Sequence, residues 1–159
     1  MIDFSLSNYY YETVLPKGTY NTLHFGVGLD SLMNASDPSA VDFDSPLSIS
    51  QNTYWSWASK YKFLMLEGRV DTSQLGIPQA TFSYHTGFNS MYRTVHLGLG
   101  SINLTDEGLT IAINFALDSL LMGDGGSIDF VEQDAAHSEL NIDIFETLSD
   151  NLSNSFYLN

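Results

Sequence analysis

Strict two-residue alternation is the feature that most limits what this chain can become. Leu109, Ile111, Ile113, Phe115 and Leu117 are interleaved with Thr110, Ala112, Asn114, Ala116 and Asp118. A strand sends successive side chains to opposite faces, so this segment has one apolar face and one small or polar face. Leu23, Phe25, Val27 and Leu29 alternate in the same way with Thr22, His24, Gly26 and Gly28. Segments 3–11, 59–68, 79–86, 92–99 and 127–132 read as further strands. That makes about seven strands or more, with turn signals between most of them, and predicts an all-β, antiparallel β-sandwich or a related barrel. One segment departs from the period. Ser138 is placed to cap a helix over 139–152, with Leu140, Ile144, Phe145, Leu148 and Leu152 on one face. Phe156-Tyr157-Leu158 then returns to a sheet. The expected fold is a β-sandwich with one short C-terminal helix, in a single domain over 1–159.

Composition narrows the function classes. At 43% hydrophobic and 13% aromatic the 159-residue chain has the material for a core and is not disordered. Nineteen acids face five bases, for a net charge of −14. The bases are Lys17, Lys60, Lys62, Arg69 and Arg93, so residues 94–159 carry acids alone. Such a surface repels phosphate, and neither nucleic acid nor an anionic membrane is an expected partner. No apolar run approaches the ~18 residues of a membrane span. Cysteine is absent, which removes disulfides and thiolate metal sites. Few Lys and Arg, with many Ser, Asn and Tyr, lean towards an exported protein, although Met1-Ile2-Asp3-Phe4 has no export-signal pattern.

Metal chemistry has the best candidates. The histidines are His24, His85, His96 and His137. A hairpin centred on Ser90-Met91 predicts that His85 stands opposite His96. Directly opposed residues have Cβ atoms ~5 Å apart, close enough for two imidazoles to share one metal ion. Met91 at the turn offers a soft thioether, a set that suits Cu(I) better than Ca²⁺ or Mg²⁺. The plainer reading is a pair of half-buried strand histidines. His137, just ahead of the helix cap, reads as structural. Tyr54-Trp55-Ser56-Trp57 places both tryptophans of the chain on one strand face, as core anchors or as a functional pair. The acidic stretch 37–44 offers oxygen donors but lacks the spacing of a Ca²⁺ loop. Gly123-Asp124-Gly125-Gly126 reads as a turn and not as a phosphate cradle. No G-x-S-x-G or H-E-x-x-H occurs, and no nucleophile–base arrangement is legible, so a non-enzymatic role is expected.

Several stretches, taken in order, resemble a known family. They are Leu6-Ser7-Asn8-Tyr9, Phe25-Gly26-Val27-Gly28-Leu29-Asp30-Ser31, Asn34, Asp37-Pro38 and Pro46-Leu47, followed by Tyr54-Trp55-Ser56-Trp57. Tyr61-Lys62-Phe63-Leu64, Leu66-Glu67-Gly68, Phe82-Ser83-Tyr84-His85-Thr86-Gly87 and His137-Ser138 with Asn151 and Phe156 complete the set. Their order and spacing resemble the MbnP-like family of bacterial exported copper-binding proteins. The resemblance implies a β-sandwich in the periplasm or at the cell surface that binds copper through histidines. It also implies oxidation of a tryptophan to kynurenine beside the metal, with a MauG-like di-haem protein as partner. On this reading His85 is the first candidate ligand, with His96, and Trp55 or Trp57 is the residue for oxidation. One departure stands out: the copper-binding branch has a histidine where this chain has Ala35. The competing reading is therefore a metal-free exported recognition domain, with its aromatic residues facing a glycan or a protein partner.

Overall fold

The computed structural model describes residues 9–56 and 59–159. Its strands are β1 (Gly18–Val27), β2 (Tyr54–Trp55), β3 (Lys60–Val70), β4 (Ala80–Gly87), β5 (Arg93–Leu104), β6 (Ile113–Phe115), β7 (Met122–Gly123), β8 (Gly126–Ser127), β9 (Ala135–Ala136) and β10 (Phe156–Leu158). Helices α1 (Ser31–Asn34), α2 (Leu117–Leu121) and α3 (Ile142–Asn154) complete the list. Strands dominate, as the alternation predicts, but among the described residues they form several small sheets and not a closed sandwich. One sheet has the order β2-β3-β4-β9; β1-β5, β6-β10 and β7-β8 are two-stranded.

The four-stranded sheet is built on the β3–β4 hairpin, in which Met65 faces His85 and Glu67 faces Ser83. Its loop is fixed by Asp71, whose carboxylate accepts from the backbone and hydroxyl of Ser73 and from the Gly76 amide. Every second residue of β4 turns inward. Tyr84 and Thr86 are 0% and 1% exposed. Tyr84 joins Leu64, Met91, Leu120, Ile128, Ala136, Ile144, Phe145, Leu148 and Leu152 in one core. Its hydroxyl donates to the Gln133 carbonyl at 2.7 Å. Burial, with Asp134 and Asp129 nearby, pushes that phenol up to about 12, so it stays a donor. Ser83 and His85 consequently point to the other side of the sheet.

The adjacent strands β4 and β5 do not form the expected hairpin. β4 pairs with β3 and β9, whereas β5 pairs with β1. The cause is Met91. It lies on a 3₁₀ turn over Asn89–Met91 and is 2% exposed within the core. An outward hairpin turn would expose that side chain; burying it carries the chain away from β4 to the β1–β5 ribbon.

Other alternating segments also diverge. Only 113–115 of the 109–117 run is strand, paired with β10. The chain then turns into α2, which buries Leu120 completely and leaves Leu109 and Leu117 about half exposed. Burying Leu120 on a helical turn outweighs continuing the alternation. In 127–132 the Asp129 carboxylate accepts from Val131 and Glu132 amides and bends the chain. Residues 3–8 of the first expected strand lie outside the described residues, and 9–11 have no regular structure.

The C-terminal helix buries Ile144, Phe145, Leu148 and Leu152 as expected. Leu140 is the exception at 95% exposed, because Glu139–Asn141 is a 3₁₀ turn with a different angular step. Ser138 makes no side-chain bond to the helix backbone. Asn151, fully buried, clamps the 123–126 turn: its amide donates to the Leu120 and Gly126 carbonyls and its oxygen accepts from the Gly125 amide. That amide is therefore committed to the turn, as the sequence reading of this segment expects.

Candidate functional site

The outward face of the four-stranded sheet gathers the chemistry. Parallel pairing sets Ser83 beside Ala135 and Tyr84 beside Ala136. One residue further, His85 and His137 meet, with ring centroids 4.8 Å apart. Trp55, on the opposite edge strand, closes over both: its ring lies 5.0 Å from His85 and 5.8 Å from His137. The Lys62 ammonium stands 4.8 Å from the same indole. Burial depresses the pKa of that amine, against the pull of Glu67.

The long irregular segment 30–53 holds this edge in place. Asp30 caps α1 through the Met33 amide. Asn34, 3% exposed, donates to Asn89 and accepts from the Tyr61 amide. The buried Tyr61 hydroxyl donates to the Leu47 carbonyl. These bonds fasten the loop to the start of β3, next to the Trp55–Lys60 pair.

The protonation of His85 follows from its surroundings. Its side chain is 11% exposed, and Nε2 lies 2.6 Å from a Glu67 carboxylate oxygen. Burial pushes the imidazole below its ordinary value; the Glu67 hydrogen bond opposes this, and His137 and Lys62 add to the depression. At neutral pH His85 is therefore uncharged and its single N–H donates to Glu67 from Nε2. The lone pair then resides on Nδ1. That nitrogen is buried and has no hydrogen-bond partner among the described residues. A carboxylate that fixes the tautomer and leaves the other nitrogen free is the arrangement found behind metal-bound histidines. His137 is steadied by Ser83, whose Oγ lies 3.0 Å from Nε2.

The sequence-predicted residues separate accordingly. His85 and Trp55 come together. His96 does not join them; it lies on β5, opposite His24. The expected His85–His96 opposition fails with the hairpin on which it rested. Met91 is consumed by the core and offers no thioether. Trp57 lies outside the described residues. His137, read from sequence as structural, is the residue that the alternation missed. The parallel β4–β9 contact that delivers it spans only two residue pairs and leaves no periodic signal; its one trace was the His137-Ser138 element of the resemblance. In the acidic stretch, Asp37 is bonded to the backbone and hydroxyl of Ser39 as a local turn. No group of three or more His, Cys, Asp or Glu able to hold a metal occurs among the described residues.

The family comparison matches the MbnP family over residues 2–142. The chain belongs to the MbnP family. The match runs from before β1 to the first residue of α3, and so includes Trp55, Lys62, Glu67, Ser83, His85 and His137. No curated protein and no solved structure matches the chain. Among the described residues no helix is long and apolar enough to cross a membrane.

Proposed function

We propose that this MbnP-family chain is an exported, non-catalytic copper-binding protein of the periplasm or cell surface, with His85 and His137 as its imidazole donors. The observation that carries this reading is the buried, unpartnered Nδ1 of His85 beside His137, with its tautomer set by Glu67. Leaving such a nitrogen unpaired in the folded protein costs about 1–3 kcal/mol, a cost that a bound cation removes. Imidazole is a donor suited to copper, and a neutral His85 needs no deprotonation to ligate. With two imidazoles and no cysteine the donor set fits copper better than a hard oxygen-seeking cation.

Trp55 is the described tryptophan that borders both imidazoles. On this reading it is the residue open to kynurenine formation, with a MauG-like di-haem protein as the oxidising partner. Lys62, held against the indole face, is a cation beside the metal's place and limits how tightly copper binds.

An anaerobic Cu(I) competition against a coloured chelator tests the proposal. One tight equivalent is expected, lost in both His85→Ala and His137→Ala and retained in His96→Ala. Intact mass measured after exposure to the di-haem partner is expected to show the conversion in wild type and not in Trp55→Phe. Absence of competition by both unmodified and kynurenine-bearing protein overturns the copper reading in favour of the metal-free recognition domain.

A further inference from the structure

The β1–β5 ribbon holds a second pair of histidines. His24 and His96 are directly opposed in the antiparallel register. Their rings lie 4.2 Å apart, centroid to centroid, at 65°. Both residues are exposed. Neither imidazole has a hydrogen bond or ion pair among the described residues, in contrast to His85 and His137. From the geometry we infer a separate, open binding site for a borderline divalent transition-metal cation at His24 and His96, independent of the copper reading above.

Three features carry the inference. Opposed positions on an antiparallel pair set Cβ atoms ~5 Å apart, which lets two imidazoles reach one ion without backbone movement. The neighbours on that face of the ribbon are Thr22, Gly26, Thr94 and Gly98, all small. A Cβ built at Gly98 meets nothing within 4 Å, so there is room beside the pair. Gly26 is roofed by the ring of Tyr92, which walls the pair on its other side. Finally, the net charge of −14 draws cations to the molecule at long range.

The donors decide the class of ion. Two exposed imidazoles favour Cu²⁺, Ni²⁺ or Zn²⁺ over Ca²⁺ or Mg²⁺, with Cu²⁺ held most firmly. The remaining positions stay open to water or to a donor from another molecule. Such a site binds more weakly than an enclosed one and exchanges its ion readily.

The test is calorimetric titration of the full chain with Cu²⁺, with electron paramagnetic resonance as a second readout. The spectrum of this equivalent is expected to carry coupling to two imidazole nitrogens. His24→Ala and His96→Ala are each expected to weaken it at least tenfold. The double variant should be no worse than either single one, because a chelate is already broken by the first loss. His85→Ala should leave this equivalent in place, which separates it from the failure or success of the enclosed site. Should a single alanine variant shift the thermal midpoint, His24→Gln and His96→Gln repeat the measurement on folded protein. Cu²⁺ binding unchanged in both substitutions, or lost in His85→Ala alone, overturns the inference.

Discussion

Two histidine pairs occupy two sheets of this molecule, and their surroundings differ in nearly every respect. His85 and His137 sit on a four-stranded sheet whose reverse face is the hydrophobic core. Trp55, Glu67, Ser83 and Lys62 lie around them; Glu67 and Ser83 each hold one Nε2, and the Nδ1 of His85 is buried. His24 and His96 sit on a two-stranded ribbon, exposed, and neither imidazole has a hydrogen bond or ion pair among the described residues. Proximity of two imidazoles is thus common to both. What distinguishes the first pair is the set of groups that choose a tautomer and exclude water. On the copper reading proposed above, those groups would convert proximity into affinity, since donors already in place lose little freedom on binding.

The comparison can be broken at several points. The largest effect is expected from the core that backs the first pair. Phe145 is fully buried against Phe88, and Phe145→Ala is expected to lower stability by about 3–5 kcal/mol in urea unfolding. Next come the donors: His85→Ala and His137→Ala should each weaken Cu(I) at least about a hundredfold, the upper range for supporting residues alone. An equal loss in His96→Ala would erase the distinction between the pairs. Gly87 follows. A Cβ there would meet Ser59 and lie 2.7 Å from the Tyr61 carbonyl. Gly87→Ala is expected to cost roughly 1–3 kcal/mol in thermal unfolding, and to loosen the edge that carries Trp55. Lys62→Met removes the ammonium from the indole face; about 0.5–1 kcal/mol of stability goes with it, while Cu(I) affinity rises several-fold.

The smallest effect concerns pH. The Ser73 hydroxyl and amide hold the Asp71 carboxyl below the usual carboxylate range. Its contribution is present above the ordinary carboxylate value and is lost as pH falls through the lower native one. Thermal midpoints of wild type and Asp71→Asn should therefore differ slightly at pH 7 and converge in acid. A difference that grows on acidification would mean that the hairpin is not closed by this carboxylate.

Legibility from sequence tracked the range of the interaction. Local periodicity placed β1, β3, β4, β5 and α3 because each buries one face along its own length. It failed at 109–117, where Leu120 rewards a helix, and at Met91, where one buried side chain redirects two strands. The candidate site was half visible. His85 and Trp55 lie on segments with strong patterns. His137 reaches them through a two-residue strand, too short to leave a periodic trace. The His24–His96 opposition was invisible for a related reason: β1 and β5 are distant in sequence, and only the register shows that they meet.

The parallel contact between β4 and β9 has a consequence for the order of events during folding. Ser83 and His137 are 54 positions apart. Closing so wide a loop is entropically expensive and comes after the local β3–β4 hairpin. The nascent chain thus does not bring His85 and His137 together until β9 docks. On the copper reading proposed above, metal capture at His85 and His137 becomes a test that the protein sets itself: only a chain that has docked β9 against β4 presents both imidazoles. On that reading a bound ion would hold the β4–β9 contact closed, stabilising the native state in proportion to the logarithm of the free metal over its dissociation constant.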